Sequence, residues 1–386
     1  MRNGGIRPLR IGVFSDSYRP YTSGVVRSIE TFRQELEAKD ALYYIFAPWY
    51  RGCKAEERVY RFISVPAFTN PGFRLALPFS VRMGSTLKEL KLDLIHVHSP
   101  FLLGGLGARW AVRLDLPLVF TYHTLYEEYV HYFPFFKNQT RLLTRRYTTA
   151  FCNRCDMVLA PTGVIGSYLA EAGVRTKVRT MPTGINLKTF RGGDREGFRK
   201  RFGIEADEQV MVYVGRLAKE KNIGFLLRTV GLMATRIPRI RLLLVGGGPA
   251  REELLKEAKE RKIERNVVFT GPVHPDSVRD CYAAGDVFVI SSLTETQGLV
   301  VGEAKAAGLP AVAVRAKGLS EMVDEGVDGF LVPLDDQVFA ERLCRLFEDR
   351  ELYRRFQDNA LKKAEEMSAP RAADMLLNYY REAVKG

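Results

Sequence analysis

An α/β protein built from two doubly wound domains is the fold this sequence predicts, on three observations. Short apolar runs of strand length recur along the chain and alternate with segments of helical periodicity. That order builds parallel sheets covered by helices. Glycine-bearing polar segments fall where strands hand over to helices, the edge at which open α/β sheets bind ligands. The chain, at 386 residues, is long for one core and suits two. The reading places one domain at residues 1–187, a second at 188–368, and a closing helix at 369–386.

The most informative stretch runs from Asp286 to Pro310, DVFVISSLTETQGLVVGEAKAAGLP. Val287 to Ile290 has the length and residue types of a buried strand. A polar loop, Ser291 to Gln297, leads to Gly298, which opens a helix running to about Ala307. Gly308 suits a left-handed stop and Pro310 forbids continuation. A helix start offers unpaired N–H groups and a positive dipole end, which suit a phosphate. Glu295 lies in the loop and Glu303 on the helix, so the acids and the first-turn amides of Gly298 and Leu299 can address different parts of one long ligand. A solvated helix with two acids remains the alternative for this stretch alone.

The pattern E-x7-E, after a strand and across a glycine-started helix, resembles the donor signature of retaining nucleotide-sugar glycosyltransferases of the GT-B type. The resemblance implies two Rossmann-like domains facing across a cleft, with the closing helix crossing back to the first. It implies that Glu295 holds the sugar, that Glu303 holds the ribose hydroxyls, and that the amides at Gly298 and Leu299 take the diphosphate.

The first half begins with a strand at Ile11 to Phe14, a loop, and a helix from about Val25 to Ala38. Gly24 stands at that turn, where a backbone approaches something closely or simply starts a helix; the resemblance has it facing the donor diphosphate. Asp16 in the same loop is a candidate acceptor-side acid. Residues 48–92 read as irregular, with apolar residues interleaved with Arg74 and Arg82. That mixture fits a membrane interface or a loop packed on its own domain. A strand at Leu94 to Val97 carries His96 and leads to His98; the two are expected on opposite faces and so to make a poor metal pair. A helix follows from the glycine cluster 104–107, then a strand, Leu118 to Thr121. His123 follows that strand directly, at a position where an imidazole can donate to a sugar hydroxyl or a developing charge.

Residues 122–146 are rich in Tyr and Phe and then turn basic, with Arg141 and Arg145 on one helix face beside Arg146. Aromatic anchors next to a basic helix describe an interfacial membrane contact. The wording TYHTLYEEYVHY is similar to that of glycosyltransferases that act on diacylglycerol, and SYRPYTSGVV resembles their first loop, with Ser23 where many members carry Asn. This implies that His123 lies against the donor sugar and that Tyr126, Glu127 and His131 lie nearer the acceptor.

In the second half, a strand at Val210 to Val214 leads into GRLAKEKN. Arg216 and Lys221 at such a loop can clamp a diphosphate through charge-assisted bonds, and the G-R-x-x-x-x-K spacing matches the clamp of the family resembled. Gly246-Gly247-Gly248-Pro249 makes a tight helix entry. Gly271 and Val273 follow the strand Val267 to Thr270, where relatives hold the base by backbone groups. His274 reads as helix-start structure. A linker is placed at about 183–195.

The charge is lopsided. Of a net +13, residues 1–187 carry 25 Lys and Arg against 14 Asp and Glu, and the rest carry 33 against 31. A basic first half suggests a polyanionic partner, an anionic membrane surface rather than nucleic acid, because no nucleic-acid fold signature accompanies it. Five scattered cysteines, with a lone CxxC at Cys152 and Cys155, read as reduced thiols of a cytoplasmic protein. No Asp-x-Asp occurs, so no catalytic metal and no cofactor is implied. The resulting expectation is a metal-independent, retaining hexosyltransferase. It moves glucose from UDP-glucose to a lipid such as 1,2-diacylglycerol at the cytoplasmic face of a membrane. The alternative keeps the donor chemistry with another acceptor, phosphatidylinositol or a soluble one.

Overall fold

The computed structural model describes residues 7–67, 70–128 and 137–385. The chain divides into two compact units, one formed by residues 1–184 together with 369–386, the other by 185–368.

The first unit contains β1 (Arg10–Phe14), β2 (Leu42–Pro48), β3 (Val59–Phe62), β4 (Ser64–Ala67), β5 (Asn70–Ala76), β6 (Leu94–Val97), β7 (Leu118–Thr121), β8 (Met157–Ala160) and β9 (Val178–Thr180). Seven of these form one sheet in the order β3-β2-β1-β6-β7-β8-β9, with every pair parallel. A parallel sheet must be covered on both faces, and alternate residues divide accordingly. Ile11, Val13, Tyr43, Ile45, Val119 and Leu159 enter one core; Phe14, Phe46, Phe120 and Val158 enter the other. The first core is closed by Val26, Ile29, Phe32 and Leu36 of helix Gly24–Glu37 and by Ala373, Leu376 and Tyr380 of the C-terminal helix Ala369–Lys385.

Two sequence expectations are corrected here. The stretch 48–92 is not irregular. It holds β3, an antiparallel β4–β5 hairpin and a helix at Met83–Leu90. Short strands broken by Pro66 and Pro71 carry too little periodicity to be read from the sequence. His96 and His98 do not lie on opposite faces. Residues two apart along a strand share a face, and their ring centroids are 4.1 Å apart.

The second unit holds β10 (Gln209–Val214), β11 (Ile240–Val245), β12 (Val267–Gly271), β13 (Val287–Ile290), β14 (Ala311–Val314) and β15 (Gly329–Val332). Their order is β12-β11-β10-β13-β14-β15, again parallel throughout. In each sheet the strand order reverses once, between β1 and β6 and between β10 and β13. These are the switch points at which such sheets bind ligands. The unit boundary lies at 184/185 rather than 187, because Ile185 donates its N–H to Met367 O at 2.8 Å and packs with Ala306 and Ala364 of the second unit. The supposed linker is therefore partly structured, with a short helix at Leu187–Phe190.

One buried ion pair braces the second unit. Lys305, fully buried on helix Leu299–Ala306, places Nζ 2.5 Å from Asp328 Oδ2 and donates also to Met322 O. Asp328 in turn accepts from Asp324 N–H at 3.0 Å. The pair ties the helix to the loop before β15.

Candidate active site

In the second unit, the switch point brings together residues 74 positions apart in the chain. Lys221 ends a 3-10 turn after β10, and Glu295 lies in the loop after β13. Lys221 Nζ stands 2.5 Å from Glu295 Oε1, with both side chains about four-fifths buried at 18% exposure. The two loops are stitched by hydroxyls at the end of β13. Ser291 Oγ donates to Lys221 O at 3.2 Å and Asn222 O at 2.9 Å, and Ser292 Oγ donates to Glu220 O at 3.4 Å. Burial alone would raise the Glu295 carboxyl, but the adjacent Lys221 ammonium and hydrogen bonds from Lys221 and Ser292 hold it below its ordinary range. Glu295 is thus an ionised acceptor and Lys221 a cation with three donors.

Gly298 caps the following helix at φ 87°, ψ 56°. A side chain there would place Cβ 2.6 Å from Leu319 Cδ2, so the left-handed turn and the close approach both require glycine. Its conformation presents the start of helix Leu299–Ala306. Glu303, on the second turn, is 2% exposed and its Oε2 accepts from Tyr282 Oη at 2.7 Å. Arg216 is exposed after β10, and its carbonyl accepts from Tyr213 Oη at 3.1 Å. Gly271, at φ 70°, accepts from Gly246 N–H at 3.1 Å and Thr270 Oγ1 at 2.7 Å; Val273 packs partly buried against the core. His274 accepts from Asp276 N–H at 3.4 Å at the start of a short turn, a local structural role.

In the first unit, Gly24 begins helix Gly24–Glu37, whose cap Ser23 accepts from Val26 N–H at 3.3 Å. Asp16 sits at the β1–β6 switch point, but its carboxylate is engaged. Oδ2 accepts from Ser99 Oγ at 2.6 Å and Oδ1 from Leu103 N–H at 2.7 Å, so the residue caps the start of helix Leu102–Leu114. Glu127 is buried and bonded to Tyr168 Oη and Tyr122 Oη. Tyr126 meets Phe101 edge to face at 5.0 Å. These contacts give Asp16, Tyr126 and Glu127 architectural duties that the sequence reading did not foresee. His131 lies outside the described residues.

His123, half-buried, joins the buried His98 and His96 in a histidine cluster. Its Nε2 is 2.8 Å from His98 Nδ1, while His96 bonds Tyr380 Oη at 2.6 Å and Thr121 Oγ1 at 2.7 Å. Burial drives the His96 and His123 imidazoles down to about 3, and His98 well below its usual value. All three are neutral at physiological pH. On helix Lys137–Cys152, Arg141 pairs with Glu128 at 2.6 Å, Arg145 lies over the Tyr168 ring, and Arg146 is exposed.

Among the described residues no helix is long and apolar enough to cross a membrane. Sequence reasoning missed Ser291, Ser292, Asn222, Tyr282 and His98. The two serines sit at the end of a buried strand, where a buried hydroxyl must find a partner.

Comparisons with known proteins give the family and the fold. Residues 194–363 match the family described as Glycosyl transferases group 1, and residues 22–189 match Glycosyltransferase Family 4. The chain is 31% identical over 330 residues to the alpha-monoglucosyldiacylglycerol synthase of Streptococcus pneumoniae, covering 84% of this chain and 75% of that protein. It is also 31% identical over 367 residues to the enzyme of that name from Acholeplasma laidlawii, covering 91% and 92%. A GDP-mannose-dependent alpha-mannosyltransferase of Corynebacterium glutamicum is 28% identical, covering 86% and 78%. Among solved structures, Anabaena HepE in complex with UDP-glucose superposes with a TM-score of 0.77 at 20% identity, covering 97% of this chain and 100% of that one.

Proposed function

The chain belongs to the group 1 glycosyltransferases, and from that premise we propose that it moves glucose from UDP-glucose to the hydroxyl of a membrane lipid of the diacylglycerol class, with retention at the anomeric carbon. The observation that carries the donor half of this reading is the Lys221–Glu295 contact at the β10/β13 switch point, beside the Gly298 helix start.

In the proposed reaction the bond between the sugar and the diphosphate breaks as the acceptor oxygen bonds the anomeric carbon. The acceptor's proton leaves with the diphosphate. Negative charge grows on the departing phosphate oxygens, where Arg216, Lys221 and the amides at Gly298 and Leu299 meet it. Lys221 has donors enough to serve the phosphate while retaining Glu295. Glu295, ionised, accepts from hexose hydroxyls; on the first unit, His123 serves a sugar hydroxyl. Glu303, held by Tyr282, accepts from the ribose hydroxyls, and the backbone around Gly271 and Val273 takes the base. On the first unit, the helix start at Gly24 offers first-turn amides to a phosphate. Positive charge comes from side chains and helix starts, so no divalent metal and no cofactor is assigned.

The acceptor half rests on the relatives that bear a diacylglycerol name and on the surface of the first unit. Helix Lys137–Cys152 exposes Leu142 and Leu143 beside Arg141, Arg145 and Arg146. On the β4–β5 hairpin, Val65 and Leu75 are cross-strand partners, and the next pair outward is Ile63 and Leu77. Those four, with Phe79 and Val81, form an exposed apolar ridge, Phe79 and Val81 at 77% and 88%. Such a ridge on a basic unit suits peripheral attachment to the cytoplasmic face of an anionic membrane.

The test is direct. Purified protein is incubated with labelled UDP-glucose, UDP-galactose or GDP-mannose and diacylglycerol vesicles, with and without EDTA. Labelled glucolipid from UDP-glucose in both conditions is expected. Product only with GDP-mannose moves the donor assignment, and no lipid product with any donor removes the acceptor assignment.

A further inference from the structure

We infer that Tyr213 is a positioning residue for the donor residues of the second unit, its buried hydroxyl setting the tilt of the Arg216–Leu217 peptide and so the direction in which Arg216 meets a diphosphate. The binding part of this inference rests on the proposed transferase reading; the hold on the peptide does not.

Tyr213 is the last residue but one of β10, and its ring enters the core of the second unit at 1% exposure. A phenylalanine would fill that space without a polar atom. A phenol buried so deeply must find a partner for its hydroxyl, and this one finds it three residues on, donating to Arg216 O at 3.1 Å. The chain makes room for the bond. A Cβ at residue 215 would stand 2.8 Å from Tyr213 Oη, so only glycine passes over the hydroxyl there.

The neighbouring strand fixes the rest of the turn. Gly215 donates its N–H to Val245 O at 2.9 Å, and Leu217 donates its own to Gly247 O at 2.9 Å while accepting from Ala250 N–H at 3.0 Å. The Leu217 side chain is fully buried. The peptide between Arg216 and Leu217 is planar, with its N–H held by Gly247 on one side and its C=O held by Tyr213 on the other. Two bonds at opposite poles fix the tilt of that plane, and the tilt fixes how Arg216 is turned. The guanidinium at the end of the side chain has five donors, enough to serve a phosphate beside another partner. Burial holds the Tyr213 phenol well above its ordinary value, with the Lys221 ammonium opposing and the Glu295 carboxylate adding to the shift. The hydroxyl therefore stays a donor across the physiological range. It bonds the residue that carries one proposed phosphate cation and lies in the field of the other.

The experiment compares wild type with Tyr213→Phe, which keeps the ring and removes the hydroxyl. Affinities for UDP and for uridine are measured by calorimetry. One neutral hydrogen bond shifts an equilibrium by roughly two- to tenfold, so UDP is expected to bind roughly three- to tenfold more weakly, while uridine, which has no phosphate, binds as before. In an Arg216→Ala background the same substitution is expected to alter UDP affinity by less than about twofold, because the side chain whose aim it sets is gone. Equal weakening of UDP and uridine, no weakening of UDP, or losses that multiply across the two substitutions would overturn the positioning role. So would a Tyr213→Phe chain that fails to fold, since the hydroxyl would then be serving the core. Hydrogen exchange reads the hold on the peptide without any ligand: the segment containing Leu217 is expected to exchange several-fold faster in Tyr213→Phe, and unchanged exchange overturns that half. Wild-type protein that binds no UDP would sink the proposed function while leaving the exchange result standing.

Discussion

Lys221 Nζ and Glu295 Oε1 stand 2.5 Å apart on loops that leave adjacent parallel strands at the point where the strand order reverses. Neither residue is near the other in sequence. Each is held by backbone that the hydroxyls of Ser291 and Ser292 fasten from the β13 side.

Breaking that pair should show in rate and in acid stability. Lys221→Met and Glu295→Gln are each expected to lower kcat by about a hundredfold or more, and the double variant by less than the product of the two. The Glu295 carboxyl is depressed below its ordinary 4.5 in the folded protein. The stability it contributes is therefore present above that value and lost as pH falls through the lower folded one. Lys221→Met removes the cation responsible, so its loss of stability on acidification should be smaller than that of wild type. Denaturant midpoints between about pH 7 and about pH 3 measure the difference.

Glu303 and Tyr282 should separate binding from chemistry. Glu303→Ala is expected to raise the donor KM roughly tenfold or more with a smaller change in kcat, since uniform binding is what is lost. Tyr282→Phe deletes the hydroxyl 2.7 Å from Glu303 Oε2 and should raise the same constant by less. Initial rates against donor concentration check both, and an unaltered donor dependence in Glu303→Ala refutes the ribose role.

Gly298→Ala meets two penalties together. A left-handed conformation costs a non-glycine residue about 1–2 kcal/mol, and the new Cβ collides with Leu319 Cδ2 at 2.6 Å. The variant should be destabilised by at least that conformational cost and should bind UDP more weakly. Adding Leu319→Ala should relieve the collision and leave the backbone cost in place. Chemical denaturation and calorimetric UDP titration report on the two effects separately.

Charge on the hairpin ridge should release the protein from lipid without unfolding it. Phe79→Asp with Val81→Asp alters side chains that are 77% and 88% exposed, so stability should change by under about 1 kcal/mol. Sedimentation with anionic vesicles should fall several-fold while turnover of donor with a detergent-solubilised acceptor persists. Vesicle binding equal to that of wild type would remove the ridge from the proposed interface.

Much of this molecule was legible from residue order because its strands announce themselves. Runs such as Val287–Ile290, buried at every position, can only be interior strands, and the glycines after them mark helix entries. The meeting of Lys221 and Glu295 was legible for the same reason, since each lies in a loop that follows a strand. What escaped were partners distant in the chain. The sequence placed Asp16 and Glu127 in loops near a ligand edge. It could not show that Asp16 caps a helix 87 residues away or that Glu127 is taken by Tyr168. His96 and His98 were misjudged through the strand's twofold repeat itself, which puts both rings on one side. The Lys305–Asp328 pair was invisible because a lysine amid alanines reads as solvent-facing until the other side of the helix is seen to be packed.

The C-terminal helix gives the molecule an order of assembly. Tyr380 joins Tyr43 at 2.8 Å and His96 at 2.6 Å, and its helix closes one face of the sheet that was translated first. A nascent chain therefore carries a half-covered first unit past the ribosome while the whole of the second is being made, although domains usually fold in the order of their synthesis. The seventeen-residue helix Ala369–Lys385 covers that face. A chain stopped before Ala369 would hold the second unit whole while leaving His96 without the Tyr380 hydroxyl and the first sheet bare on one face.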